Sequence, residues 1–204
     1  MNLKSSALAL SAVFLSAASA LAAPPPQEKG DIDRETAAAN AAIAVGDYAT
    51  AALHFDAARE AAARQSLQDI ARRVAEISPL KQEQEPRFAL AASSTLQFDR
   101  FLKDRETVET RFKNPEGKVV VVRVFGAEDD MEDFMFVADS PALIKQAALE
   151  KAEMAGGPAL KRKREDGGLS VLMMSKKDHA LVEVEGESEA DVMAIVDKLE
   201  AGAP

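Results

Sequence analysis

Apolar residues follow two different spacings in the two parts of this chain. Between residues 37 and 77 they recur at intervals of three and four, which is typical of amphipathic helices. From residue 106 to residue 199 they form short runs separated by turn residues, which is typical of strands. The pattern predicts an α+β protein, in which an N-terminal antiparallel helical hairpin is followed by a mostly antiparallel sheet domain built from two strand-strand-strand-helix units.

The helical hairpin is predicted over residues 33–80. An Ala-rich helix starts near Asp33, Gly46-Asp47 interrupts it, and a second helix extends from about Tyr48 until Ser78-Pro79 ends it. Two helices alone bury too little apolar surface to offset the entropy of ordering them. We therefore expect the apolar stripe of the second helix to meet the sheet domain or another chain, and the sheet domain to fold without the hairpin. That stripe contains Phe55, Ala58, Ala62, Leu67, Ile70, Val74 and Ile77.

The first strand unit is predicted to begin with a β-hairpin. Its turn is Asn114-Pro115-Glu116-Gly117, which suits a type I turn because proline fixes φ at the second position. The strand after this turn is apolar on both sides at 119–122, so we place it centrally in the sheet. Ser140-Pro141 then opens a helix that Gly156-Gly157-Pro158 stops. The predicted strands of this unit are 108–113, 118–125 and 134–138.

The second strand unit has a tight turn at Asp166-Gly167 and a helix from Ser188. Apolar and charged residues alternate in its last strand. We therefore expect one face of this strand to contact solvent, with Glu183 and Glu185 on that face. The charged run Lys161-Arg162-Lys163-Arg164 suits an edge strand. The predicted strands of this unit are 160–164, 169–174 and 180–185.

The two units match in pattern but share few identities. Setting Gly117 against Gly168 pairs Arg111 with Arg162, and aligning the serines that precede the two helices pairs Ile144 with Val192. Either an internal duplication or the recurrence of a common structural unit accounts for this similarity.

Residues 1–22 have the features of a secretory signal peptide. Lys4 provides the positive start, residues 7–15 an apolar run, and Ala20-Leu21-Ala22 the small-residue cleavage pattern. The apolar run is shorter than the roughly 20 residues that a membrane span needs. We therefore predict a periplasmic or secreted protein that does not span a membrane and whose mature chain starts at Ala23. A mobile Pro-rich lead-in at 23–32 precedes the hairpin, and a polar linker at 81–87 leads to the sheet domain at 88–204.

Composition and charge exclude several classes of function. The formal charge is −9, and removing residues 1–22 takes away only Lys4, which gives −10. An acidic exported chain is a poor general binder of nucleic acid. The sequence contains no cysteine, so disulfides and thiolate chemistry are excluded. It also lacks a Gly-x-Ser-x-Gly elbow and a Gly-rich phosphate loop.

Candidate metal ligands are few. His54 and His179 are far apart and each lacks a neighbouring His or Cys, so both are interpreted as surface residues. An acidic run lacks the spacing of a calcium loop and is interpreted as a solvated loop; it contains Glu128, Asp129, Asp130, Glu132 and Asp133. Methionine thioethers bind Cu(I), but Met also fills irregular cores, which is our interpretation here. The six methionines concerned are Met131, Met135, Met154, Met173, Met174 and Met193.

Several short motifs resemble those of known proteins. The hairpin resembles one tetratricopeptide unit, because Gly46-Asp47-Tyr48 matches the inter-helix turn and Ala51, Phe55 and Ala58 match the second helix. Most of the mature chain also resembles a family of exported bacterial proteins with no assigned biochemical function. The motifs that carry this second resemblance are Gly46-Asp47-Tyr48, Thr110-Arg111-Phe112, Asp139-Ser140-Pro141 and the segment 180–186. The resemblance implies export and a shared fold, and it transfers no catalytic residue.

The sequence assigns no catalytic, cofactor-binding or metal-binding residue. We predict a non-catalytic exported binding or protein-interaction protein, with a protein partner or self-association through the helical hairpin. The Lys161–Arg164 run could bind an anionic lipid or polymer, but it lacks interleaved aromatic residues, which favours the edge-strand interpretation. The alternative function is a small-ligand carrier or an enzyme that uses a cleft between hairpin and sheet.

Overall fold

The computed structural model describes residues 29–90, 106–126, 128–154, 157–175 and 180–201. Within these residues the strands form one antiparallel sheet with the order β1-β2-β3-β7-β6-β5-β4. The elements are α1 (Lys29–Ala44), α2 (Tyr48–Ile77), β1 (Lys81–Leu90), β2 (Glu106–Lys113), β3 (Val119–Phe125), α3 (Glu128–Ala138), α4 (Pro141–Gln146), β4 (Glu150–Met154), β5 (Gly157–Lys163), β6 (Leu169–Ser175), β7 (Ala180–Gly186) and α5 (Glu189–Glu200). The predicted α+β fold, a helical hairpin followed by an antiparallel sheet, is confirmed.

The hairpin turns where the sequence places the break. Gly46 has a φ of 77°, a left-handed conformation that glycine adopts without a Cβ clash. Asp47 then caps α2, because its carboxylate accepts from the Thr50 amide at 3.1 Å and from the Thr50 hydroxyl at 2.8 Å. The bounds of α2 are those expected from the sequence. Helix α1 begins at Lys29, so residues 29–32 are helical and the expectation of a mobile lead-in is wrong for them.

Residues 81–87 form a strand, so their assignment to a linker is wrong. Strand β1 pairs antiparallel with β2, from Lys81 opposite Lys113 to Leu90 opposite Glu106. Its polar composition and Pro86 are compatible with pairing because β1 is an edge strand, where a missing amide donor can face outward. The β2–β3 hairpin follows as predicted, and the amide of Gly117 donates to the carbonyl of Asn114 at 3.0 Å.

One side of the sheet packs against α2 and α5, and we call this the α2/α5 side. The apolar stripe of α2 contributes Leu67, Ile70 and Val74 to this core. Helix α5 contributes Val192, Ile195 and Val196, and the sheet adds a large apolar set: Val108, Phe112, Val120, Val122, Val124, Leu169, Val171, Met173, Val182 and Val184. The stripe was expected to meet the sheet domain or another chain, and part of it meets the sheet.

The other side of the sheet packs against α3 and is called the α3 side. Residues 134–138 belong to this helix, so the strand expected there is wrong, and so is the solvated loop expected for 128–133. Buried Phe134, Val137 and Ala138 lie at helical spacing, whereas Phe136 points to solvent. A five-residue apolar run fits a strand or a buried helix segment equally well, and only packing against Leu172 and Leu181 decides between them.

Helix α4 starts at Ser140 as predicted but ends at Gln146, about ten residues before the expected stop. Ala148 adopts a φ of 52°, and the amides of Ala148 and Leu149 donate back to the carbonyls of Lys145 and Ile144. This is the Schellman arrangement, which here is made by alanine in the place that glycine usually takes. The chain then turns into β4, and Gly157 and Pro158 lie inside β5 instead of ending a helix.

The basic run Lys161–Arg164 does not lie on an edge strand. Strand β5 pairs with β6 on one side and with β4 on the other, so the edge prediction is wrong. Residues 150–154 were expected to be helical, so the sequence did not indicate that they form the outer strand β4. The alternation of β5 places Lys161 on the α2/α5 side and Arg162 on the α3 side.

Candidate functional site

Exposed apolar side chains are concentrated on the helical hairpin. Six large apolar side chains of the described residues are exposed, and five of them lie between residues 43 and 55. We call these five the hairpin patch: Ile43, Val45, Tyr48, Leu53 and Phe55. Tyr48 is 72% exposed and Leu53 is 70% exposed. Single exposed apolar residues are ordinary, but a local concentration of them indicates an interaction surface.

The hairpin patch exists because α2 is longer than the sheet that it covers. Its second half packs on the sheet, whereas its first half packs on α1 through small buried residues. These residues are Ala39, Ala42, Ala51, Ala58 and Ala61. Alanines bring the two helices close together but cover little of their outer surfaces. The larger side chains of the hairpin therefore remain in contact with solvent.

A second unusual feature is a row of charges on the α3 side of the sheet. Glu109, Arg123 and Glu183 are opposite one another on β2, β3 and β7, and Glu185 lies two residues further along β7. We call these four residues the arginine network. Arg123 is 2% exposed and Glu183 is 0% exposed. Strand β7 is buried on both sides, so the expectation of a half-solvated strand is wrong.

Three carboxylates surround the guanidinium of Arg123. Its Nε donates to Glu109 Oε2 at 3.1 Å, its Nη1 donates to Glu183 Oε2 at 3.0 Å, and Nη1 also lies 3.0 Å from Glu185 Oε1. The Ser170 hydroxyl donates to the remaining oxygen of Glu183 at 3.4 Å. Further ion pairs surround this centre, from Arg87 and Arg111 to Glu109 and from Arg164 to Glu185. A planar guanidinium suits this geometry because its donors form a rigid fork.

The network favours the ionised forms of Glu109 and Arg123. Burial opposes the charge of Glu109, but the hydrogen bond from Arg111 and the positive charges of Arg123 and Arg111 outweigh it and lower the pKa of Glu109. Burial likewise opposes the charge of Arg123, and the carboxylates of Glu183, Glu185 and Glu109 outweigh it and raise the pKa of the guanidinium. A general acid or base needs a pKa near the working pH. The shifts of Glu109 and Arg123 go away from neutrality, so they favour a structural role.

The residues that the sequence singled out are dispersed. His54 lies between α1 and α2, and its Nδ1 is 2.7 Å from Glu35 Oε2. Helix α3 carries Met131 and Met135, which pack against the apolar cluster under it. His179 and the side chains of residues 128–130 lie outside the described part of the chain. No group of three or more His, Cys, Asp or Glu suited to a metal occurs among the described residues.

The methionines of the sheet domain pack against its two apolar clusters. Met173 is buried with Leu169 and Val171 on the α2/α5 side, in agreement with the core-filling interpretation. Met154 and Met193 pack against the same cluster, and Met174 packs against the cluster under α3. Their thioethers are divided between two sides of the sheet. The described residues thus give the methionines a packing role.

Two surface depressions are lined by described residues. One, of about 390 Å³, lies beside β5 and α5, with Leu169 and Met193 next to Lys161 and Lys163. The other, of about 500 Å³, lies where Pro79 and Leu80 approach the β2–β3 turn. The arginine network lines neither of them. None of the described helices combines the length and the apolar composition needed to cross a bilayer.

Sequence reasoning missed both the arginine network and the hairpin patch. Arg123 is the single charge in the run Val119–Phe125, and a charge within a buried strand is a signal that a partner lies nearby. Its partners could not be named, because Glu183 is 60 residues away in sequence. The patch was missed because Phe55 has the helical spacing of the predicted apolar stripe, and this spacing describes buried and exposed apolar residues equally well.

Comparison with known proteins finds no matching family model, no matching curated protein and no matching solved structure. The geometry described above therefore carries the functional interpretation.

Proposed function

We propose that this chain is a non-catalytic exported binding protein that contacts a protein partner through the helical hairpin. The observation that carries the proposal is the hairpin patch. Exposing five large apolar side chains to water within thirteen residues has a free-energy cost, which a partner surface that covers them would remove. Aromatic residues such as Tyr48 and Phe55 are also enriched where proteins meet.

The way in which α2 meets the sheet further supports a binding function. A carrier or enzyme that used a cleft between hairpin and sheet would need space there for a ligand. Leu67, Ile70 and Val74 instead fill the contact between α2 and the sheet with a close-packed core. In the arginine network the carboxylates of Glu109, Glu183 and Glu185 are already engaged by the guanidinium of Arg123. These features favour interaction over catalysis.

Export to the periplasm or the exterior is part of the proposal. It rests on the signal-peptide pattern of residues 1–22 and on the resemblance to the exported family. In an envelope compartment, the partner is a protein that presents an apolar surface to the hairpin.

Site-specific photocrosslinking in the native envelope tests this function. A photoreactive amino acid replaces Leu53, which lies in the patch, and in a second protein it replaces Phe136. Phe136 is the matched control, since it is the sixth exposed large apolar residue and lies on α3, away from the hairpin. We expect discrete protein adducts from position 53 and none, or far weaker ones, from position 136.

Equal adducts from the two positions, or none from position 53, would overturn the proposal. Mass spectrometry of the adduct identifies the partner. A second copy of this chain and an unrelated protein are the two outcomes that agree with the proposed function.

A further inference from the structure

The exposed side of the first half of α2 has a charge pattern in which reversing the direction of the helix exchanges the acid and the base. Six positions on it are separated by three, four, three, four and three residues, which is the seam spacing of a coiled coil. The outer positions are small, and an acid and a base occupy the centre. All six are exposed, and we call them the seam face: Ala49, Ala52, Asp56, Arg59, Ala63 and Ser66.

We propose that the seam face binds the seam face of a second copy of this chain, with the two α2 helices antiparallel. This inference rests on the proposed function and specifies its partner. An antiparallel pair places Asp56 opposite the partner's Arg59 and, by symmetry, Arg59 opposite the partner's Asp56. Such an interface is isologous, because each copy contributes the same surface.

The charges on the seam face are exposed, so a partner helix can reach them. Asp56 and Arg59 are 3.3 Å apart within one helix, and their side chains are 70% and 83% exposed. An exposed pair of this kind contributes little stability within its own helix. Opposite an identical helix, the same two side chains form two intermolecular pairs and fix the antiparallel register.

The small residues of the seam face suit close packing between two helices. In the same register Ala52 lies opposite the partner's Ala63, and Ala49 lies opposite the partner's Ser66. Side chains of this size let helix axes approach to about 8 Å. Leu53 lies at the margin of the seam face, so a partner helix seated there reduces its contact with solvent.

The seam face continues into the part of α2 that is already buried. From Ser66 the same spacing leads to Ile70, which belongs to the core under the sheet, and the neighbouring positions Leu67 and Val74 are buried there as well. The first half of α2 therefore presents the same side of the helix to solvent, because the described strands do not cover it there. The proposed partner helix occupies the place that the sheet occupies further along.

This arrangement also covers the tip of the hairpin. Arg64 follows Ala63 of the seam face and contacts one end of the sheet. Its guanidinium lies 4.5 Å from the centre of the Phe88 ring on β1 and donates to Glu106 on β2 at 2.6 Å. An antiparallel partner brings its own tip, with Val45 and Tyr48, to this end of the sheet. All five residues of the hairpin patch lie outside the seam face, and in this arrangement the partner covers Val45 and Tyr48 among them.

Charge reversal with rescue tests the proposal. The mass of the purified chain is followed by analytical ultracentrifugation over a range of concentrations. We expect a dimer that Asp56→Arg and Arg59→Asp each weaken by about tenfold or more in dissociation constant, because each change places like charges opposite each other. The double variant Asp56→Arg/Arg59→Asp restores opposite charges across the seam, so it should recover wild-type dimerisation.

Asp69→Arg is the matched control. Asp69 and Arg72 form an ion pair of the same spacing on the same helix, at 2.8 Å and about half exposed, but they lie off the seam face. This change should leave dimerisation unaltered. Circular dichroism confirms that each variant keeps its helices.

Three results would overturn the proposal: a wild-type chain that stays monomeric at every concentration, single variants that dimerise like the wild type, or a double variant that is not rescued. A monomeric chain that still gives a crosslinked partner at position 53 would refute the second copy and leave the proposed function standing. A monomeric chain with no adduct there would refute both.

Discussion

At the scale of single residues, Arg123 joins strands β2, β3 and β7 through ion pairs on the α3 side of the sheet. Replacing Arg123 with Met leaves the carboxylates of Glu109, Glu183 and Glu185 buried next to one another without their shared cation. Breaking a buried ion pair in this way costs about 3–5 kcal/mol. We expect Arg123→Met to lower the free energy of unfolding by that amount in urea denaturation.

The control is Arg87→Met, which removes an exposed guanidinium 3.6 Å from the same Glu109 carboxylate. Exposed pairs are worth about 1 kcal/mol or less. Equal losses in the two variants would show that burial of the charge does not set its contribution.

Glu109 makes the stability of the fold depend on pH. Its pKa in the folded protein lies below the ordinary carboxyl value of 4.5, so the unfolded chain takes up a proton at higher pH than the folded chain does. Its stabilising contribution is therefore complete above pH 4.5 and is lost as the pH falls through the lower pKa of the folded state. We expect the free energies of unfolding of wild type and Glu109→Gln to differ at pH 7 and to converge on acidification. A constant difference between them at all pH values would contradict this.

At the scale of secondary structure elements, Ala148 decides where α4 ends. Its left-handed φ of 52° costs an alanine about 1–2 kcal/mol. Glycine adopts this conformation freely but loses more entropy on folding, by about 0.5–1 kcal/mol. We expect Ala148→Gly to raise the free energy of unfolding by about 0.5–1 kcal/mol in denaturant titrations.

Ala147 provides the comparison for that change. It precedes Ala148 and has an ordinary φ of −88°. Glycine there brings only the entropic cost, so Ala147→Gly should lower stability. If both changes act in the same direction, the backbone of Ala148 does not limit the stability of this turn.

At the scale of the whole molecule, the hairpin and the sheet share a core. The second half of α2 contributes Leu67, Ile70 and Val74 to the α2/α5 side, and a boundary at residue 87 divides β1. The sequence suggested that the sheet domain folds without the hairpin. With this core in view we expect the opposite: a chain of residues 87–204 exposes the apolar side of the sheet and does not fold cooperatively.

Circular dichroism and thermal unfolding of that fragment test this expectation. The comparison is a chain that keeps the second half of α2 and all of β1 and lacks only α1 and the first half of α2. It retains the shared core and should unfold cooperatively. A cooperative transition in residues 87–204 alone would restore the first interpretation.

The sequence by itself determined the features that depend on near neighbours. The bounds of α2, the turns at Gly46 and Gly117 and the caps at Ser140 and Ser188 follow from local backbone preferences and local hydrogen bonds. The prediction of a signal peptide likewise rests on a local pattern. Such features are decided within a few residues, and no tertiary contact is needed to recognise them.

The tertiary structure alone decided which elements lie next to one another. It placed β4 outside β5, made a helix of residues 134–138 and joined Arg123 to Glu183 across 60 residues of chain. It also left one side of the first half of α2 exposed, although the spacing of apolar residues is the same in both halves. The physical reason is that periodicity shows which side of an element is apolar, whereas burial depends on what the rest of the chain brings to that side.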